Sequence, residues 1–174
     1  MNIIEIILNA LKLIISVDKL LYEVIFLSLK VSLIALFISS SIAIIVGYIL
    51  ALKNFYFKNF LLVFINSLMG IPPVVVGLIV YFIFAYGGPL GPLKLLYTPT
   101  AMIIAQVIII FPIVTSLSHE IFFQNWKQYK DQFRSLNIPF FGIIKILTIH
   151  SYFLLITVLL SAFGRAISEV GAVM

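Results

Sequence analysis

Three side chains near the end of this sequence could act together chemically. Arg165 and Glu169 are four residues apart, and Ser168 lies between them. Residues at this spacing share one face of a helix, so the guanidinium and the carboxylate are placed to form an ion pair. Ionisable residues inside an apolar segment usually pair or line a polar cavity. Two interpretations therefore stay open, a gate in a polar path and a purely structural pair.

Catalytic interpretations of the other reactive residues fail on residue type or spacing. His119-Glu120 begins like a metalloprotease helix, but Phe123 stands where the second zinc-binding His is needed. The chain has no Cys, which excludes disulfides, thiolate zinc sites and cysteine nucleophiles. It has no glycine-rich phosphate loop with a Lys, so it cannot hydrolyse ATP itself. A Ser168 nucleophile would need a nearby base, and His150 is more than a dozen residues away. We expect no enzyme, and no metal or cofactor bound by this chain.

A polar segment in the second half of the chain has the pattern of a helix end. Asn137 can adopt the left-handed conformation just after a helix, and Pro139 prevents the helix from continuing. We predict a short helix before Asn137 and a second one from Phe141 to Ile149. Such a pair could dock into a groove on a soluble partner. An ordinary loop at the membrane interface is the alternative.

Two adjacent prolines, Pro72 and Pro73, interrupt an apolar run. Each removes a backbone donor and its ring clashes with the preceding helical turn. Carbonyl groups freed at membrane depth must face protein or water. Broken helices often line transport paths, although a structural kink would show the same sequence.

The elements that carry these residues are helices in a membrane. Of the 174 residues, 63% are hydrophobic and 10% are charged, whereas soluble domains are about 45–50% apolar and a quarter charged. Lipid cannot satisfy backbone hydrogen bonds, and the sequence lacks the alternating strands of a barrel, so we predict an all-α integral membrane protein. Long runs without charge predict spans over about 23–52, 59–86, 99–118 and 151–168.

The predicted domain covers residues 21–174 and follows an amphipathic interfacial helix over residues 1–20. Small residues recur every four positions in the first span, at Ser39, Ala43 and Gly47, which predicts close approach of a second helix.

The basic residues indicate the orientation. The net charge of +5 does not indicate a nucleic-acid partner, because the basic residues lie in short loops between apolar runs. The loops 53–58 and 119–150 hold six of them, and the turn between the second and third spans holds one. These are Lys53, Lys58, Lys127, Lys130, Arg134 and Lys145, with Lys94 in the turn. Positive residues favour the cytoplasm, so both loops are predicted there.

The loop resembles a motif of permeases from binding-protein-dependent ABC importers. In that family the loop reads Glu-Ala-Ala, three residues, Gly, nine residues and Ile-x-Leu-Pro. Aligning Asn137 with the Gly places Asp131, Gln132 and Phe133 on Glu-Ala-Ala, with Asp and Asn keeping the physical roles of Glu and Gly. By this resemblance, the residues predicted to contact the ATPase are Asp131, Gln132, Phe133, Leu136, Asn137, Ile138 and Pro139.

Further motifs resemble the oxyanion branch of the same family, above all its tungstate permeases, and related versions occur in molybdate and sulfate permeases. They comprise Gly70–Leu78, Gly88–Gly91 and Arg165–Met174. The resemblance implies a translocation path or gate that includes Pro72, Pro73, Gly77, Arg165, Ser168, Glu169 and Gly171. Because a bare Glu169 would repel a dianion, Ser168 and the nearby glycine backbone are the better candidates for anion contact.

The resemblance implies a type I ABC importer permease, a helical bundle of the molybdate, maltose and methionine type in the cytoplasmic (inner) membrane. It implies a homodimer surrounded by lipid, two ATPase subunits that use ATP, and an external oxyanion-binding protein. Permeases of this family continue beyond the Arg165–Met174 motif, so we expect a further final span to be missing from these 174 residues. The alternatives are a molybdate or sulfate permease, and a membrane scaffold without a transport role.

Overall fold

The computed structural model describes residues 19–173, without the side chains of Leu20 and of residues 170–173. The predicted interfacial helix over residues 1–20 lies almost wholly outside these residues. The described part of the chain confirms the all-α prediction. Its helices are α1 (Lys19–Leu52), α2 (Lys58–Leu68), α3 (Pro73–Phe84), α4 (Pro99–Ser135), α5 (Phe140–His150) and α6 (Tyr152–Val173), with a 3-10 turn at Gly91–Leu93.

Helices α1, α4 and α6 are long and apolar enough to cross a membrane, and α2 with α3 makes a fourth span if the bent pair is counted as one. Helix α4 has 37 residues, so at 1.5 Å per residue it is about 55 Å long. The apolar core of a bilayer is about 30 Å thick. One end of α4 therefore extends well beyond the membrane.

The separate short helix predicted before Asn137 is wrong, because α4 runs without a break from Pro99 to Ser135. The physical reason is an aromatic stripe at helical spacing, Phe122, Trp126, Tyr129 and Phe133, which continues the buried face of α4. The end of the third membrane span near residue 118 stays a prediction. The predicted second short helix forms as α5, one residue longer at each end.

The predicted second span, 59–86, is not one continuous helix. Helices α2 and α3 are separated by four residues and meet at an angle of 99°. The break keeps its backbone donors satisfied, because Met69, Gly70 and Ile71 donate to carbonyl groups three residues earlier. Pro72 and Pro73 have no donors to satisfy. The sharp bend is thus compatible with an apolar environment.

Helices α1 and α4 approach closely through the predicted small residues. Ser39, Ala43 and Gly47 are all buried on α1. A Cβ atom added to Gly47 would lie 2.9 Å from the carbonyl oxygen of Thr115 and 3.0 Å from the backbone nitrogen of His119. Ala43 shares an apolar cluster with side chains of α4 and α6. This contact joins the three long helices into one bundle.

A second apolar cluster joins the bundle to α5 at the end of the molecule where α1 finishes. It contains Tyr48 and Ala51 of α1, Phe122 and Phe133 of α4, Leu147 of α5 and Leu155 of α6. The Tyr48 and Phe122 rings meet edge to face, with their centroids 5.1 Å apart. The extension of α4 beyond the membrane is therefore packed against α5.

The orientation can be tested by cysteine labelling, since the chain has no Cys of its own. Lys127 and Lys94 are both exposed, whereas Lys58 is buried and would report poorly. In sealed, right-side-out vesicles, Lys94→Cys should react with an impermeant maleimide, and Lys127→Cys should react only after permeabilisation. The reverse labelling would contradict the predicted orientation.

The α1–α4 contact predicts that Gly47→Ala destabilises the bundle. The added methyl group meets backbone atoms, which cannot rotate away, so the two helices must separate. We expect a cost of about 1–3 kcal/mol, measured as a lower melting temperature in detergent. Gly164→Ala is the matched control, because a Cβ atom at that helical position meets nothing within 4 Å. Equal melting temperatures for the two variants would refute the close-contact interpretation.

Candidate functional site

The turn between α4 and α5 has the geometry of a helix end. Asn137 has a φ of 49°, in the left-handed region that its side chain tolerates. The amide of Asn137 donates to the carbonyl of Arg134, and the amide of Ile138 donates to that of Phe133. Pro139 then caps α5 in an extended conformation. These bonds fix the angle between the two helices.

The residues predicted to contact an ATPase do not all lie on the surface of this turn. Leu136 is 71% exposed. Asp131, Gln132, Asn137 and Pro139 are also exposed, and Ile138 is half-buried. Phe133 is buried instead, and its ring stacks on that of Trp126 with centroids 6.2 Å apart. Phe133 therefore supports the turn from inside.

The broken helix borders a cavity. A space of about 370 Å³ lies between α3, the segment before α4 and the start of α4. Gly77 lines this cavity together with Val74 and Tyr81 of α3, and with Thr98 and Ala101 near the start of α4. Pro72 and Pro73 do not line it, but they set the direction of α3. The lining is mostly apolar, with the hydroxyl groups of Tyr81, Tyr97 and Thr98 as its polar side-chain groups.

The ion pair that the sequence predicted in the last helix is present. The Nε atom of Arg165 lies 2.9 Å from Oε1 of Glu169. Ser168 donates its hydroxyl hydrogen to the carbonyl of Arg165 at 2.9 Å, so this hydrogen is already engaged within the helix. Gly171 lies on α6, whose side chains are described only as far as Glu169. The negative charge of Glu169 is thus balanced next to the predicted path.

Three polar contacts between distant residues were not predicted. Gln106 of α4 is buried, and its Nε2 donates to the carbonyl of Ala166 at 3.1 Å. Ser116 of α4 donates to Oδ1 of Asn66 on α2 at 2.5 Å. The third bond runs from Asn125 Nδ2 to Ser151 Oγ, 2.7 Å long. The sequence marks Gln106 as a polar residue inside an apolar run, but it does not show which residue Gln106 contacts.

The Asn125–Ser151 bond lies at the junction between α5 and α6. Ser151 is the residue between α5 and α6, and it is completely buried. Asn125 is in the part of α4 beyond the predicted span. The bond therefore attaches the extension of α4 to the junction through which α5 is connected to α6.

The fold and these features together define a class of protein. Three helices are long and apolar enough to cross a membrane, two shorter ones meet at a sharp bend beside two prolines, and the turn between α4 and α5 projects from one end. A sequence model of the binding-protein-dependent transport system inner membrane component matches residues 43–173. The chain belongs to this family, and its fold is that of a type I ABC importer permease. It is a multi-pass protein of the inner membrane, and the family is one of transport proteins and not of enzymes.

Three curated relatives are similar to the chain. The tungstate uptake system permease protein TupB of Peptoclostridium acidaminophilum is 36% identical over 95% of this chain and 72% of its own length. A protein of Haloferax volcanii named "Probable anion ABC transporter permease protein" is 34% identical over 84% of this chain and 63% of its own length. TupB of Campylobacter jejuni is 31% identical over 70% of this chain and 51% of its own length.

The turn predicts different effects for two substitutions at Asn137. Asn137→Val places a β-branched residue at a positive φ, at a cost of roughly 1–2 kcal/mol, and should tilt α5 away from its present angle. We expect uptake to fall at least tenfold, with the amount of protein in the membrane unchanged. Asn137→Gly, which accepts the same φ without strain, should retain uptake. Normal uptake by Asn137→Val would remove the role assigned to this turn.

Proposed function

We propose that this chain is the transmembrane permease of an ATP-driven importer that carries an oxyanion, tungstate, into the cell. It would act as a homodimer with two ATPase subunits and an external oxyanion-binding protein. The ATPase subunits hydrolyse ATP, and this chain supplies the path. The proposal rests above all on one observation: the exposed turn between α4 and α5 lies at the end of a 37-residue helix, which is longer than the apolar core of a bilayer is thick.

The geometry of α4 supports a mechanism of alternating access. Closure of the ATPase subunits around ATP would push on the surface around Leu136. Since α4 is continuous, this displacement would reach Ala101, which lines the cavity beside α3. The Asn125–Ser151 bond and the aromatic cluster would carry α6 along with α4. The path would then open outward to accept the anion, and hydrolysis would reset it.

The charges near the proposed gate suit an anion that passes without being held. The Arg165–Glu169 pair leaves no uncompensated charge of either sign on that face of α6. A lone arginine would retain a dianion, and a lone glutamate would repel it. Conduction requires contacts that are favourable but weak. Hydroxyl groups and backbone dipoles along α6 would supply such contacts.

The substrate class follows from similarity to the two tungstate uptake permeases. The third relative is named for anions in general, so molybdate and sulfate remain the alternatives within this fold. A scaffold without a transport role is the alternative from another class. It would leave the exposed Leu136 and the balanced Arg165–Glu169 pair without a purpose.

Uptake by cells separates these possibilities. The gene is expressed, together with genes for an ATPase subunit and an external oxyanion-binding protein, in cells that lack their own tungstate and molybdate importers, and tungsten is measured by mass spectrometry. We expect saturable tungstate uptake. Tenfold excess sulfate should barely inhibit this uptake, and excess molybdate should inhibit it only weakly. Strong inhibition by molybdate or sulfate would indicate that the inhibiting anion is the preferred substrate. No uptake, and no ATPase co-purifying with the chain, would support the scaffold.

A further inference from the structure

Two buried basic side chains lie against the same phenylalanine at the end of the bundle where α2 begins. Lys58 is the first residue of α2 and His119 lies on α4, and each is only 9% exposed. Both rest against Phe123 of α4. The Nζ atom of Lys58 lies 5.3 Å from the centre of the Phe123 ring, and the His119 ring stacks on that ring with centroids 5.6 Å apart. The phenylalanine thus brings the two basic groups into one small region.

No carboxylate among residues 19–173 forms an ion pair with Lys58. Within residues 19–173 the ion pairs are Lys19–Glu23 and Arg165–Glu169, and neither involves this region. The Nζ atom of Lys58 donates to Oδ1 of Asn54 at 3.4 Å, a long bond to a neutral group. Glu120 is the nearest acid along α4, and its carboxylate accepts a bond from Gln124. A buried ammonium group without a counter-charge is unfavourable, so this arrangement favours an anion as an additional partner.

Two further observations point to the same kind of ligand. The Nε2 atom of His119 is buried and has no hydrogen-bond partner among the described residues. Helix α2, which is 11 residues long, begins at Lys58 with no side-chain cap. The first turn of a helix presents backbone N–H groups and the positive end of the helix dipole, both of which favour anions.

We propose that Lys58, His119 and the first turn of α2 form a binding site for a tetrahedral oxyanion at the cytoplasmic end of the bundle. An oxyanion carries several acceptor atoms, which can take bonds from the Lys58 ammonium, from an N–H at Nε2 of His119 and from backbone N–H groups of the first turn other than that of Lys58, which donates to Phe55. The location on the cytoplasmic side, and transported tungstate as one source of the anion, rest on the proposed function. The phosphate of a lipid headgroup is the other source with the same chemistry.

The test measures binding to the complete permease–ATPase complex in lipid nanodiscs. One set of discs contains a neutral, phosphate-free glycolipid, and the other contains phosphatidylglycerol. Tungstate binding is followed by equilibrium dialysis, and tightly bound phospholipid by mass spectrometry. Lys58→Gln removes the charge, Lys58→Arg keeps it, and Lys53→Gln is the matched control because Lys53 is an exposed lysine of the same loop.

In glycolipid discs, we expect Lys58→Gln to weaken tungstate binding at least tenfold, Lys58→Arg to stay within about threefold of the unchanged protein, and Lys53→Gln to have no effect. If phosphatidylglycerol leaves this binding intact, the site takes the free anion. If phosphatidylglycerol abolishes tungstate binding, and a phospholipid co-purifies with the unchanged complex but not with the Lys58→Gln complex, the site takes a headgroup phosphate. His119→Leu should act in the same direction as Lys58→Gln.

Tungstate and phospholipid binding that do not depend on Lys58 in either disc would overturn the site, even if cells take up tungstate normally. Binding that depends on Lys58 in a complex that imports no tungstate would instead overturn the proposed function and leave the site standing. A correctly assembled complex is verified for each variant by gel filtration with the ATPase subunit. The two failures are therefore distinguishable.

Discussion

Where Gly47 of α1 meets Thr115 and His119 of α4, the two backbones are so close that a single methyl group would not fit. Lipid is as apolar as the side chains of a membrane helix, so helices associate through close packing and polar contacts and not through exclusion of water. Small residues on α1 make this packing possible, and α4 is held against the bundle as a result. The cavity beside α3, which Ala101 of α4 lines, and the place of the turn at Asn137 both depend on the position of α4.

The packing of α4 matters for the proposed function because α4 is long. A helix of 37 residues can place one end beside the cavity lined by Gly77 and the other at an exposed turn beyond the membrane. Helix α4 is unbroken from Pro99 to Ser135, although Pro112 lies within it and is buried. The neighbouring pair α2 and α3, by contrast, is broken at the residues before Pro73. In the proposed mechanism, the continuous helix would transmit displacement and the broken pair would be the segment that changes direction.

Sequence reasoning succeeded where a residue has a local conformational or pairing rule. The positive φ of Asn137, the Arg165–Glu169 pair and the packing of Gly47 each follow from residue type and spacing. It failed for the separate short helix expected before Asn137, because polarity was taken as the end of a helix while the aromatic stripe continued the helical period. It also failed for Gln106, Asn125 and Ser151, whose partners lie on other helices and depend on the folded arrangement. Lys58 was assigned to a loop because it is charged. Its burial likewise became visible only in the fold.

The proposed role of this chain, the path of an ATP-driven oxyanion importer, is tested most directly by reconstituting the permease and its ATPase in liposomes. Tungstate is measured inside them, with the binding protein outside and ATP enclosed. We expect accumulation above the external concentration that requires both ATP and the binding protein and that Asn137→Val abolishes. Tungstate that merely equilibrates without ATP, or that never enters when both partners are present, would contradict it.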